Sequence, residues 1–183
     1  MLLFINACVR EGSRTRQLAD KVLAKTGDDI SEVKLAEVDF PVVDEAFLQK
    51  RDALIAEAAW GDPLFDLARQ FAAADEIVVA APYYDLSFPA TVKQYFEQIN
   101  VLGITFEYSP EGLPVPLCKA KKLTYVMTAG GALLPEEYGF GYVKALAQNF
   151  YGIRDVELVK AVGLDIYGAD VDAIMKEAAD SIG

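Results

Sequence analysis

The stretch Glu76–Ile99, EIVVAAPYYDLSFPATVKQYFEQI, decides how the chain is read. Ile77 to Ala81 is an apolar run without alternation, the pattern of a strand covered on both faces, so it belongs inside a sheet. Pro82 has no N–H to give to a ladder and ends the strand, whereas Pro89 fits the first helical position and not a helix interior. A turn is forced between the two prolines. It carries Tyr83, Tyr84, Asp85, Leu86, Ser87 and Phe88 at the carboxyl end of a strand, where open parallel sheets bind their ligands. The crowding of rings there points to a flat aromatic guest. Beyond Pro89, the helical spacing of Val92, Tyr95, Phe96 and Ile99 puts them on one face, which packs on the sheet.

Upstream, Asp62-Pro63 is a helix start, with Asp as N-cap and Pro at N1, and Leu64, Leu67, Ala68 and Phe71 recur at helical spacing after it. Leu2–Cys8 reads as a first buried strand, followed by a helix through Leu18, Val22 and Leu23 that Gly27 stops. Ile30–Leu35 is a second strand near the sheet edge. The helix-compatible stretch Asp44–Ala59 leads to Trp60, which is read as a packing residue. Gly103–Pro116 is a short β excursion with its turn at Ser109–Gly112, outside the main alternation. Lys122–Thr128 and Val156–Val162 are the fourth and fifth strands, and Asp170 caps a last helix through Val171, Ile174, Met175 and Ala178. Strand and helix alternate throughout residues 1–183. With right-handed crossovers, this predicts one domain with a doubly wound three-layer α/β sandwich around a five-stranded parallel sheet.

The polar run after the first strand holds Arg10, Arg14 and Arg16 with Ser13 and Thr15, in a chain with only 17 basic residues. Cations at a helix N-terminus oppose its macrodipole, so three within seven residues imply an anion that offsets the cost, and phosphate is the natural guest. A plainer alternative is that Ser13 or Thr15 caps the helix while the arginines stay solvated; the two readings are compatible. The fourth strand empties into Thr128-Ala129-Gly130-Gly131, where missing side chains let backbone N–H groups approach a ligand, although Gly-Gly after a strand is also an ordinary tight turn. Neither a G-x-G-x-x-G nor a Walker A pattern occurs.

Composition narrows the partners. A hydrophobic share of 53% over 183 residues fills a full core. The formal charge of −11 argues against nucleic acid and anionic membranes, both of which are bound through positive fields. No apolar run is long enough to span a bilayer and no signal peptide is recognised, which predicts a cytoplasmic protein. Cys8 and Cys118 are read as free thiols. Without histidine, imidazole triads and histidine-ligated metals are excluded, so the chemistry needs another agent.

Taken together, Ser13-Arg14-Thr15, Ala81-Pro82-Tyr83-Tyr84-Asp85-Leu86, Lys93-Gln94-Tyr95-Phe96, Gly103-Ile104-Thr105-Phe106-Glu107-Tyr108 with Pro110-Glu111-Gly112-Leu113, and Thr128-Ala129-Gly130-Gly131 carry a resemblance. In this order they resemble the flavodoxin-like NAD(P)H:quinone oxidoreductases and FMN-dependent azoreductases, over nearly the whole chain. The resemblance implies strand order 2-1-3-4-5 and FMN, ahead of FAD, at the switch point between strands 1 and 3. It places the FMN phosphate at Ser13, Arg14 and Thr15, to which the clustering of arginines adds Arg10. Pro82, Tyr83, Tyr84, Asp85 and Leu86 would wall the isoalloxazine, with Thr128, Ala129, Gly130 and Gly131 at the ring's polar edge. It further implies ping-pong hydride transfer from NAD(P)H through the flavin to a quinone or other flat acceptor. A homodimer would complete the substrate pocket with Phe106, Tyr108, Tyr138 and Phe140. One-electron carriage in the manner of flavodoxin, or flavin binding without catalysis, are the alternatives. Azoreductases commonly have Asn where this chain has Asp85; a carboxylate cannot donate to a carbonyl, and its charge disfavours a reduced anion, which predicts a lower flavin potential.

Overall fold

The computed structural model describes residues 1–27 and 29–182. Five parallel strands form the central sheet: β1 (Leu2–Asn6), β2 (Ile30–Lys34), β3 (Glu76–Ala80), β6 (Lys122–Ala129) and β7 (Asp155–Val162), in the order β2-β1-β3-β6-β7. In parallel strands alone this is 2-1-3-4-5, as the resemblance implied. The remaining strands, β4 (Phe106–Tyr108) and β5 (Pro114–Pro116), pair antiparallel in a separate hairpin. Its turn is closed by the Ser109 amide on Leu113 O (2.8 Å) and the Gly112 amide on Ser109 O (2.9 Å). This is the excursion expected between Gly103 and Pro116.

The period of two along each strand sorts side chains between two helical layers. Leu3, Ile5, Ile77 and Val79 face α3 (Asp66–Ala73), α4 (Ala90–Ile99) and α5 (Phe140–Asn149), meeting Ala68, Phe71, Tyr95, Phe96 and Val143 in the larger core. Leu2, Phe4, Val78 and Ala80 face α1 (Arg14–Leu23) and α6 (Val171–Asp180), meeting Leu18, Ala19, Val22 and Ala178. All of β3 beyond Glu76 is buried, because it has neighbours on both edges and helices on both faces. Phe96, Phe71, Tyr95 and Tyr151 form an aromatic knot in the larger core, with the Phe71 and Tyr151 rings edge to face at 4.7 Å. Truncating Phe96 to alanine would cost ~3–5 kcal/mol.

Local signals held with small shifts. Pro89 is the N-cap of α4 rather than its first residue. Asp62 caps Leu64 N (2.9 Å) but opens a 3-10 turn, Pro63–Phe65, that runs into α3. α1 ends at Leu23, before Gly27, through a turn in which the Lys25 and Thr26 amides bond back to Val22 O and Leu23 O. α2 (Glu45–Ala56) carries no buried residue, and only Leu54 and Ile55 reach the core edge, in keeping with the blurred pattern of that stretch. Trp60 packs, as read, against Phe65 at 6.1 Å and against Gly103. Cys8 and Cys118 are both free.

Candidate functional site

β1 turns outward after Asn6 because the Ala7 amide still pairs with Ala80 O (2.9 Å), while the Cys8 amide is taken by the Asn6 side chain (2.9 Å). The chain then crosses the top of the sheet and enters α1 through Ser13, whose Oγ accepts from Arg16 N at 3.3 Å. Capping by Ser13 is therefore real, yet it satisfies one amide only. The first-turn amides of Arg14 and Thr15 have no acceptor within the helix and lie at the positive end of its dipole.

These residues border a cavity of about 450 Å³ at the carboxyl ends of β1, β3 and β6. Ten of the residues expected to hold a cofactor line it: Arg10, Ser13, Arg14 and Thr15 from the first loop, Pro82, Tyr83 and Tyr84 from the second, Thr128, Ala129 and Gly130 from the third. The volume is that of a small-molecule site. A larger groove, about 720 Å³, lies between α1 and α6, but no strand-end loop reaches it. Topology, not size, selects the smaller cavity. Its floor is stapled by a hydroxyl pair, Thr15 Oγ1 to Thr128 Oγ1 at 2.7 Å, which ties the first loop to the end of β6.

Three expected residues lie elsewhere. Asp85, Leu86 and Gly131 are not in the lining. Tyr84 and Ser87 pair with each other through both backbone bonds (2.9 and 2.8 Å), which makes Asp85 and Leu86 the two central residues of a tight turn and exposes both. Each has positive φ, 49° and 68°. The wall is therefore Pro82, Tyr83 and Tyr84, with the Asp85-Leu86 tip standing above it.

The three arginines do not all face the cavity. Arg16 is committed to Asp20 (2.7 Å) and Glu32 (2.6 Å), with its guanidinium 5.1 Å from the Phe4 ring centre, so it braces the sheet edge instead of facing the cavity. Arg14 Nη1 donates to Asp165 Oδ1 at 2.8 Å. Among the described residues, Arg10 alone of the three forms no ion pair or side-chain hydrogen bond.

Four lining residues escaped sequence reasoning: Val9, Gly12, Leu164 and Asp165. The last two come from the loop after β7, held against the Gly130 loop by Leu164 N on Ala129 O (3.2 Å) and Asp165 N on Gly130 O (3.0 Å). The available signal was an acidic residue three positions past the end of a strand that the sheet order places beside β6.

The four aromatics expected in a substrate pocket do not gather in one chain. Tyr138 is exposed beside the second loop, where Ser87 Oγ donates to its carbonyl (2.5 Å), and Phe140 packs on Tyr125 at 5.9 Å. Phe106 is buried against Phe150 at 4.8 Å and edge-on to Tyr108 at 5.5 Å. That hairpin lies at the amino ends of the strands, since the nearby Lys119 amide bonds Ala72 O (2.9 Å) just before β3 begins, and Phe150 precedes β7. Phe106 and Tyr108 are thus at the opposite end of the sheet from the cavity.

At the Tyr83 hydroxyl and the Cys8 thiol the surroundings favour the neutral form. The Tyr83 hydroxyl, 3.4 Å from Pro135 O, is shifted upward by desolvation first and by the Glu137 charge second. Burial pushes the Cys8 thiol up, so it stays protonated and is no nucleophile.

The site fits FMN on three counts: free helix-terminal amides with Arg10 for a phosphate, a backbone-lined loop at Gly130, and the aromatic wall of Tyr83 and Tyr84. Comparison with known proteins points the same way. The family described as flavodoxin-like fold matches residues 1–183. The FMN-dependent NADH:quinone oxidoreductase of Clostridium beijerinckii is 35% identical over 98% of this chain and 94% of its own length. Its namesake from Lachnoclostridium phytofermentans is 35% identical over 100% and 96%. Among solved structures, an azoreductase from Bacillus anthracis superposes with a TM-score of 0.83 at 25% identity, covering 98% of this chain and 94% of that one. On that identity and coverage, the chain belongs to the flavodoxin-like family that includes the FMN-dependent NADH:quinone oxidoreductases.

Proposed function

We propose that this protein is an FMN-dependent oxidoreductase that takes a hydride from NADH and delivers two electrons to a quinone or azo acceptor. It acts in the cytoplasm as a homodimer. The observation that carries the reading is the cavity at the β1/β3 switch point, with unpaired helix-terminal amides and Arg10 at one end and a tyrosine wall at the other. The named activities of the relatives support it. No helix among the described residues is long and apolar enough to cross a membrane.

When bound, FMN supplies the hydride chemistry, which a chain without histidine or an activated thiol does not. The protein's share is binding and shape. Arg10, Ser13 and Thr15 hold the phosphate end, with charge-assisted hydrogen bonds from arginine and neutral ones from hydroxyls and amides. Pro82, Tyr83 and Tyr84 cover one side and exclude water. Tyr83 Oη keeps its proton and can only donate or accept as a neutral hydroxyl. Gly130 lets main chain approach where a side chain would stand off.

The homodimer rests on placement. Phe106 and Tyr108 lie at the end of the sheet remote from their own cavity, so only a second copy can bring them to one. Leu102, Tyr108, Leu113 and Leu117 also leave apolar surface exposed around the hairpin. Sedimentation of the wild type and of Tyr108→Ser tests this, a dimer being expected for the first.

The activity is tested by anaerobic stopped flow of the reconstituted protein with NADH and with NADPH. Rapid loss of visible flavin absorbance with NADH, restored by a quinone in ping-pong kinetics, is expected. If neither nicotinamide bleaches the flavin, the enzyme reading fails and a flavodoxin-type carrier for a basic partner takes its place.

A further inference from the structure

The Asp165 carboxylate is an unexpected occupant of a cavity suited to phosphate. Its position is not that of a wandering surface side chain. The amides of Gly163, Leu164 and Asp165 bond to Gly131 O, Ala129 O and Gly130 O at 3.2, 3.2 and 3.0 Å, extending the β6–β7 pairing past the strand ends. That fixes the Asp165 backbone beside Gly130. A Cβ at Gly130 would stand 2.2 Å from Asp165 Oδ2, so the carboxylate fills the space which the glycine leaves. Its other oxygen, Oδ1, accepts from Arg14 Nη1 at 2.8 Å.

We infer that Asp165 competes with the FMN phosphate for Arg14, and so sets how firmly this protein retains its cofactor. This rests on the FMN reading above. A phosphate monoester carries about −1.5 to −2 charge at neutral pH, and two unshared arginines would match it. Here one is shared with a carboxylate that the phosphate must displace or tolerate. The Arg14 and Asp165 side chains are 40% and 72% exposed, so their pairing is of the weak, solvent-screened kind that a phosphate can outcompete. The consequence is a site that binds FMN reversibly, with Arg10 as the constant anchor and Arg14 as a ligand that changes partner. The pairing also gives Gly130 a second purpose beyond backbone approach, because any side chain there would evict the carboxylate.

The test is a set of dissociation constants for FMN and for riboflavin, which lacks the phosphate, measured by flavin fluorescence on the apo form of the full chain. Asp165→Asn keeps the side-chain shape and removes the charge. It should tighten FMN about fivefold, or about 1 kcal/mol, and leave riboflavin unchanged. In the Arg14→Ala background, the gain from Asp165→Asn should vanish, because there is no longer an arginine to compete for. Unchanged or weaker FMN binding in Asp165→Asn overturns the inference while leaving the FMN reading standing. So does equal tightening of riboflavin, or a gain that persists without Arg14. If wild type binds neither flavin, the FMN reading fails and the inference falls with it.

Discussion

At the amino ends of the strands, two left-handed backbone positions are held by glycines, Gly103 at φ +82° and Gly152 at φ +70°. In the turn over the cavity, the same kind of backbone is taken by Asp85 at 49° and Leu86 at 68°. Packing explains the first choice. A Cβ at Gly103 would lie 2.8 Å from the Trp60 ring, and one at Gly152 2.7 Å from the Pro116 ring, neither of which can bend away. No such ring crowds the exposed Asp85-Leu86 tip, so glycine there would cost nothing sterically, and yet the chain carries about 1–2 kcal/mol of strain at Leu86 to keep its side chain. Strain held next to a binding cavity, where a cheaper residue was available, marks a turn kept for its side chains. One end of the sheet is built for packing and the other for contact with a guest.

The largest effect should come from crossing that rule at the packed end. Gly152→Ala adds a left-handed penalty to an overpacked ring and should cost about 3 kcal/mol, lowering the thermal midpoint by roughly 10 °C. FMN affinity of the folded fraction should not change, because the substitution lies at the opposite end from the cavity. Parallel loss of FMN binding in a calorimetric and fluorescence titration would show that the two ends are coupled.

At the cavity end the counterpart is Arg10→Ala. Losing a charge-assisted hydrogen bond to phosphate is worth about 1.5–3 kcal/mol, so FMN binding should weaken roughly 10- to 100-fold with an unchanged thermal midpoint. Arg14→Ala should do less, since Arg14 divides itself between Asp165 and the guest. An equal loss from both variants would mean that the Arg14–Asp165 pair does not compete.

The strand–helix alternation and the core faces were legible because they depend on signals that act locally and repeat: the unalternating run at Ile77–Ala81, the two prolines, the helical spacing of Val92, Tyr95, Phe96 and Ile99; the strand order came only with the family resemblance. The cavity was legible where its residues end a strand or lie in the loop that follows one, as Thr128 to Gly130 and Arg10 to Thr15 do. What stayed hidden is long-range. That Arg16 reaches Glu32 as well as its i,i+4 neighbour Asp20 depends on β2 lying beside β1, and that Asp165 enters the site depends on β7 lying beside β6. The fate of Phe106 and Tyr108 was equally invisible, because a ring-rich segment does not state at which end of a sheet it will fold.

Leu86→Gly probes the strained turn itself. Relief of the left-handed penalty is partly cancelled by the extra backbone entropy of glycine, so the net gain should be about 0.5–1 kcal/mol, or roughly 2 °C in thermal midpoint. A lower midpoint would mean that the Leu86 side chain makes up more than its strain and that the turn is kept for stability. The acceptor KM should rise if the tip instead touches substrate.

The smallest effect, and the sharpest about chemistry, is Asp85→Asn. Asn tolerates positive φ at both central positions of a two-residue turn at least as well as Asp, so stability should hold or rise slightly. The charge goes, and with it the repulsion of a reduced, anionic flavin. Had Asp85 lined the cavity, the shift would be large. It stands instead on an exposed tip outside the lining, where a unit charge across about 10 Å of water-like dielectric is worth ~0.4 kcal/mol, on the order of 10 mV for a two-electron couple. The midpoint potential of bound FMN should therefore rise by that small amount and should become insensitive to the substitution at high salt. A rise several times larger, persisting in salt, would place the carboxylate against the flavin and would turn the strained tip from a rim into part of the wall. A fall would refute the charge argument altogether.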